Sequence, residues 1–361
     1  EKALNKDVRV EMKICMIVPN AAVKGGIAAV VNGYRGSDLE KKHTVHYVES
    51  YCDGSKADKF FKALGGYFGF LRLLLRERPD IVHVHSSFGP SFYRKMPFIY
   101  MSCLFRIPVI NHIHGSEIGR FYENASERKK KLVRKVYGKC SRLIVLSEEW
   151  KEKIARIVSG DRIDVLENYC ILPKEPYDTG RNRSQILYLG KLEKDKGSYD
   201  MAGILEKVCR ACPQARLVMA GDGQIEQVRE AFDKKKLLPS VRFTGWVRGE
   251  EKEKLLRESA VFLFPSYHEA MPMAVIEAMG YGMGIVATAV GGIPRLISNK
   301  ENGYLEEPGD SEKMAEDVIV LLRNEESCRL YGQRARQTAS QKYSLEIHLR
   351  NLEKIYRKAC G

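Results

Sequence analysis

Glu269 and Glu277, with seven residues between them, stand in the stretch Ser266-Tyr-His-Glu-Ala-Met-Pro-Met-Ala-Val-Ile-Glu-Ala-Met-Gly280. The apolar run Val261–Pro265 before it reads as a buried strand. Proline is favoured at the first helical position, so the spacing predicts a helix opening at Pro272. Glu269 then lies in the loop above that helix and Glu277 in its second turn. A helix start offers unpaired backbone N–H groups and the positive end of a dipole, which suit a phosphate. A carboxylate accepts two hydrogen bonds from neighbouring hydroxyls, as on a ribose or a hexose. An isolated pair of this kind is more often solvated helix surface than a ligand site.

A second set of polar residues follows another strand-like run: Leu189-Gly190-Lys191-Leu-Glu-Lys-Asp-Lys196-Gly197. Two ammonium groups converging on a diphosphate would stabilise the charge that grows as a sugar–phosphate bond breaks. The plain alternative is a solvated basic loop. Lys24-Gly25-Gly26 precedes a helical run, and glycines let backbone approach a phosphate closely. The spacing is not G-x-G-x-x-G, so this signal is weak alone. His112 and His114 share one face of a strand, as do His83 and His85. With no cysteine or carboxylate in their pattern, they read as packed strand-end side chains rather than a metal centre. Nowhere does the chain contain Asp-x-Asp, a pair used to hold a divalent ion on a diphosphate.

Downstream come Gly284-Ile-Val-Ala-Thr-Ala-Val-Gly-Gly-Ile-Pro294, Glu301-Asn-Gly-Tyr-Leu305 and Pro308-Gly-Asp310. In this order with the paired glutamates, the chain resembles glycosyltransferase family 4, the group 1 glycosyltransferases. The resemblance spans essentially the whole chain and is strongest over 185–310. It implies the GT-B fold, an α/β architecture of two Rossmann-like doubly wound domains facing each other across a cleft. It also implies a retaining hexosyltransferase that moves a sugar from a nucleoside-diphosphate sugar to a carbohydrate or lipid-linked acceptor. Polysaccharide, lipopolysaccharide or glycolipid synthesis is the expected setting, without metal or other cofactor.

The resemblance also assigns roles. Glu269 should contact hydroxyls of the transferred sugar, and Glu277 the ribose. The backbone of Ala270, Met271 and Pro272 should border the sugar and diphosphate. Lys191 and Lys196 should face the diphosphate beside Gly190, with Gly25 and Gly26 in a glycine-rich loop. His114 should touch the transferred sugar, with Gly115 permitting close approach and Glu117 a weaker acceptor-side candidate. The chain departs from the family in three places. Lys191 replaces a more usual Arg, which keeps the charge and loses the planar fork. Leu166-Glu-Asn168-Tyr stands where Pro-Asn-Gly is common, and Arg295 follows the Gly-Gly-x-Pro turn where Glu is usual.

The 361 residues suggest two domains. Strand-like runs fall at Met12–Pro19, Thr44–Ser50, Asp80–Ser87, Pro108–Gly115, Arg142–Ser147 and Ile163–Asn168. A second six fall at Gln185–Leu192, Ala215–Gly223, Val241–Val247, Val261–Pro265, Gly284–Ala289 and Gly303–Glu306. Alternation with helical stretches predicts two parallel sheets covered on both faces. The expected domains are 1–175, on the acceptor side, and 176–343, on the donor side. Leu172–Arg183 reads as the linker, and a last amphipathic helix within 344–361 could pack back on the first domain.

The net charge is +14. Positions 1–175 hold 31 basic and 20 acidic residues, or +11, against 29 and 26, or +3, in the rest. Ser126–Lys135 carries six basic residues in ten, and Phe60–Leu75 mixes aromatics and leucines with cations. A peripheral position on an anionic membrane surface would suit both, although packed helices with solvated outer faces explain each as well. Nucleic acid is a weaker partner because no recognised binding module appears. No apolar run reaches the ~20 residues of a membrane span, and Glu1–Glu11 is charged, without a signal-peptide core. Nine scattered cysteines, including a lone Cys209-x-x-Cys212, suggest reduced thiols in a cytoplasmic setting. Two other classes compete with the transferase: another GT-B enzyme such as a nucleotide-sugar epimerase or phosphorylase, and a non-catalytic nucleotide-sugar-binding protein.

Overall fold

The computed structural model of the chain describes residues 11–115, 118–174 and 180–361. Glu117 and residues 175–179 of the expected linker lie outside the described residues. By internal contacts the chain forms two units, 1–167 with 348–361, and 168–347. The division falls at Glu167/Asn168, ahead of position 175, and again within the helix Leu345–Cys360.

Six strands build the first unit: β1 (Lys13–Val18), β2 (Thr44–Glu49), β3 (Ile81–Ser86), β4 (Val109–Ile113), β5 (Arg142–Val145) and β6 (Ile163–Val165). They pair in parallel in the order β2-β1-β3-β4-β5-β6. β1, β3 and β4 are buried almost throughout, as expected of short apolar runs covered on both faces. The second unit holds β7 (Asn182–Leu189), β8 (Arg216–Ala220), β9 (Val241–Gly245), β10 (Ser259–Phe264), β11 (Gly284–Thr288) and β12 (Tyr304–Glu306). Their order is β12-β11-β10-β7-β8-β9, again all parallel. Each of the twelve strands overlaps a run read from the sequence. The clearest difference is β7, which starts at Asn182 inside the expected linker. The polar Asn182-Arg-Ser-Gln hid that start, because the burial signal begins only at Ile186.

Helices close the loops where local chemistry favours them. Ser55 and Asp58 form a reciprocal capping box at the start of Lys56–Arg76. Ser126 and Ser147 cap Glu127–Tyr137 and Glu148–Ala155. In the first unit, His348, Leu352 and Tyr356 of the last helix recur every four residues and are buried. The Tyr356 hydroxyl lies 2.7 Å from His83 Nδ1, and His348 Nε2 lies 2.7 Å from the Tyr34 hydroxyl.

Candidate functional site

In the second sheet β7 and β10 are neighbours, β8 and β9 extend one way, and β11 and β12 the other. The strand order therefore reverses between β7 and β10. Open α/β sheets bind ligands beyond the carboxyl ends of the strands at such a switch point. Both polar motifs read from the sequence emerge there. β7 ends at Leu189 and leads into Gly190–Lys196, and β10 ends at Phe264 and leads into Pro265–Glu269.

The two loops are joined by an ion pair. Lys196 Nζ lies 2.6 Å from Glu269 Oε1 and donates to the His268 carbonyl at 3.2 Å. Ser266 Oγ donates to the same Glu269 oxygen at 2.9 Å. Backbone packing fixes the register of these loops. Gly197 has φ +67°, and a Cβ there would lie 1.9 Å from the Pro265 carbonyl oxygen. A Cβ on Gly291 would lie 1.9 Å from the Glu269 carbonyl, and one on Gly292 would lie 2.5 Å from that of Ala270. Glycine at these positions lets three backbones touch. The Gly292 amide donates to the Ala270 carbonyl at 2.9 Å.

Beneath the β7 loop, the buried Tyr188 hydroxyl donates to the Lys191 carbonyl at 2.7 Å and reaches that of Lys196 at 3.4 Å. Burial, with Glu269 and Glu193 nearby, pushes that phenol far above its ordinary range. The Tyr267 hydroxyl donates to Asp200 at 2.8 Å, and this bond to a carboxylate raises its pKa. Tyr267 and Asp200, with Lys194, Tyr199 and Gln224, line a cavity of about 460 Å³ beside the loops.

The helix after Glu269 runs Met273–Gly280 with Pro272 as its N-cap, so it opens one residue later than the sequence predicts. The prolyl ψ of 121° is extended, so the helix begins on the next residue. Its N-terminus has no side-chain cap. Asn168 Nδ2 donates to the Met271 carbonyl at 2.7 Å, fixing the strand-to-helix turn that Ala270, Met271 and Pro272 form. Glu277 sits in the second turn, but its partner is Lys252 at 2.7 Å, from the helix Gly249–Glu258. Nothing in the spacing signalled Lys252, because the contact joins separate helices. Ser266 and Tyr188 bond residues only three positions away, and Asn168 reaches the Met271 carbonyl; a lone hydroxyl or amide carries no spacing signal for such a role.

Lys191 is more exposed, and its partner is the adjacent Glu193 at 3.4 Å rather than the Lys196–Glu269 pair. Gly190 packs under Gly221, whose Cβ would strike the Gly190 carbonyl at 1.7 Å.

In the first unit the strand order reverses between β1 and β3. Gly25 follows β1 with φ +135° and is the N-cap of Gly26–Tyr34, again without a side-chain cap. Among the described residues, no atom beyond the chain neighbours and the helix's own backbone lies within 4 Å of where a Cβ on Gly25 or Gly26 would sit. At Gly115 a Cβ would meet Ser87 Oγ at 2.5 Å and the Phe88 ring at 2.8 Å, so its small size serves packing within the unit. The four histidines form one stack. The His112 and His114 rings lie 4.0 Å apart, His83 and His85 4.2 Å, and His85 Nδ1 lies 2.9 Å from His114 Nε2.

Nitrogens of His83, His85 and His112 come within 4.8 Å of one another, a spacing that could hold a metal ion. Three imidazoles are a donor set that zinc accepts, but no acidic group accompanies them here. The charged and titratable groups acting on His85 and His112 are other histidines and, at His85, the buried Lys95, none of them acidic. Two added charges would go uncompensated in a buried site. Burial holds these imidazoles neutral, pushing His83 and His114 down to about 3.

Two parallel six-stranded sheets, one with an acid–base pair at its switch point, define a GT-B glycosyltransferase fold. Residues 25–169 match the family model for Glycosyltransferase Family 4, and residues 174–338 match that for Glycosyl transferases group 1. The chain belongs to this family of group 1 glycosyltransferases. It is 26% identical over 270 residues to glycogen synthase of Mycobacterium tuberculosis, covering 72% of this chain and 64% of that protein's length. Among solved structures it is similar to sucrose-phosphate synthase of Thermosynechococcus elongatus, with a TM-score of 0.79 and 17% identity over 96% of this chain and 99% of that one. It is also similar to HepE of Anabaena in complex with UDP-glucose, with a TM-score of 0.74 and 17% identity over 96% and 100% of the two chains.

Proposed function

We propose that the protein is a retaining, metal-independent glycosyltransferase that takes a sugar from a nucleoside-diphosphate sugar and passes it to a carbohydrate or lipid-linked acceptor. The observation that carries this reading is the Lys196–Glu269 pair at the carboxyl-end switch of β7 and β10. As the sugar–phosphate bond breaks, negative charge collects on the leaving diphosphate. A fixed ammonium group at Lys196 stabilises that charge more in the transition state than in the ground state. Glu269, held by Ser266 and Lys196, accepts hydrogen bonds from sugar hydroxyls. Glu277 takes the ribose hydroxyls, and the uncapped start of Met273–Gly280 receives phosphate oxygens. Lys191, Gly190, His114, Gly25 and Gly26 keep the roles that family resemblance gives them.

Retention needs no covalent sugar intermediate here. With the glutamates engaged as ligand holders, the acceptor oxygen attacks on the face from which the phosphate departs. The departing phosphate oxygen takes the acceptor's proton. No carboxylate nucleophile is required, in contrast to retaining glycosidases.

A thermal-shift screen of nucleotide sugars identifies the donor, because a ligand that binds only the native state raises its stability. UDP-glucose is the first to try, since HepE was solved with it. With donor in hand, free nucleotide should appear only when acceptor is added, the product anomer should match the donor's, and a chelator should leave the rate unchanged. Nucleotide release independent of acceptor, or an inverted anomer, overturns the reading. Loss of activity on chelation removes the metal-independent part of it.

A further inference from the structure

The helix Lys56–Arg76 buries one face and leaves another apolar face uncovered. Gly66 sits where a Cβ would lie 2.7 Å from the Glu49 carbonyl, and Phe70 is fully buried with its ring 5.3 Å from that of Phe98. The Tyr67 hydroxyl donates to the Arg94 carbonyl at 3.0 Å. These contacts hold the helix rigidly on its unit. Phe60, Phe61 and Phe68 are 64%, 67% and 67% exposed, Leu75 is 64% exposed, and Leu64 and Leu71 are also exposed. At 3.6 residues per turn, all six fall within a sector of about 100°. They present on the order of 600 Å² of apolar side chain, taking roughly 200 Å² for each whole side chain. That is as large as the largest patch on a typical monomer.

Charge says what covers this face. Five cations and one acid lie along the helix; the acid, Asp58, is occupied by the capping box with Ser55, and of the cations Lys62 is paired with Glu49. Exposed Arg72 and Arg76 border the stripe near its far end, and exposed Lys56 borders its start. A protein partner would have to bury an apolar face rimmed by like charges. An anionic lipid surface accepts both features at once: aromatic and leucine side chains enter the headgroup–acyl boundary while the cations meet lipid phosphates. We propose that Lys56–Arg76 docks the protein on an anionic membrane surface through the Phe60–Leu75 stripe. This goes beyond sugar transfer and does not rest on it.

Vesicle sedimentation with the full chain and no sugar donor tests the proposal. Vesicles of neutral phosphatidylcholine are compared with vesicles in which about a third of the lipid is anionic phosphatidylglycerol. The protein should bind the anionic vesicles at least tenfold more tightly. Phe61→Ser combined with Phe68→Ser should weaken that binding by about tenfold or more, with the melting temperature unchanged because neither ring supports the core. Arg72→Gln combined with Arg76→Gln, which leaves the stripe intact, should remove most of the preference for anionic lipid. No binding to either vesicle overturns the proposal. So does a chain whose stripe variants change from dimer to monomer while vesicle binding stays the same, since the face would then serve self-association.

Discussion

Lys196 Nζ and Glu269 Oε1, 73 residues apart in sequence, meet at 2.6 Å and join the loops that follow two adjacent strands. Removing the ammonium group should therefore do more than delete one contact. Lys196→Ala is expected to lower kcat by about 10²- to 10³-fold, the usual cost of losing one preorganised charge stabiliser. Lys196→Arg should recover part of the rate. Steady-state rates with parallel melting curves check this, and a folded Lys196→Ala with full kcat would remove Lys196 from the chemistry.

The glycines around the pair make a separate prediction. Gly197→Ala and Gly291→Ala both place a Cβ 1.9 Å from a backbone carbonyl and force positive φ on alanine. Each should lower stability by about 1–3 kcal/mol and weaken donor binding, because the touching loops carry Lys196 and Glu269. Among the described residues Gly26→Ala meets open space, and Gly26 has no positive φ. It should hold or raise stability by up to about 1 kcal/mol. Chemical denaturation of the three variants separates these outcomes.

Glu277 and Lys252 form the other charged pair, at 2.7 Å. If Glu277 holds the ribose, Glu277→Gln should weaken nucleotide binding by about 10-fold or more, as expected for a lost charged hydrogen bond. It should change kcat less than Lys196→Ala does. Calorimetric titration with the nucleoside diphosphate reads the affinity directly, and an unchanged Kd would place Glu277 outside the site.

The histidine stack predicts acid lability. Burial pushes His83 and His114 down to about 3 and His348 to about 4, and holds His85 and His112 well below the usual value. Below about pH 6.5 the unfolded chain binds protons that the native state refuses. Stability is therefore fully present above that pH and falls as pH drops towards 4, by up to about 1.4 kcal/mol per pH unit for each histidine. His112 has neither ring nitrogen paired among the described residues. His112→Phe should keep the stack, remove a titrating group and flatten the slope. Urea unfolding between pH 8 and pH 4.5 measures it, and an unaltered slope would show that His112 does not contribute.

The glutamate motif was legible because its spacing survives in one dimension: strand, loop and helix follow in order from Val261 to Gly280. So were the central strands, since a strand buried on both faces is a run of apolar residues whatever it pairs with, while half-exposed β2 and β9 were marked by their β-rich composition and their place between helices. The start of β7 was lost because Asn182–Gln185 is polar, and a sheet's ragged end has no compositional mark. Lys252 and Asn168 take their meaning from partners that the fold brings near, and Ser266 is a lone hydroxyl whose bond to Glu269 no spacing marks.

Residue order alone thus settled the alternation of strands and helices, the family and the identity of the charged side chains at the strand ends, since each is encoded in local pattern. Tertiary structure decided the partners. It paired Lys196 with Glu269 and left Lys191 with its neighbour Glu193. It gave Glu277 a lysine from another helix, and it placed His83, His85, His112 and His114 in a single stack. Charges and rings interact through space, over a few ångströms that sequence separation does not record.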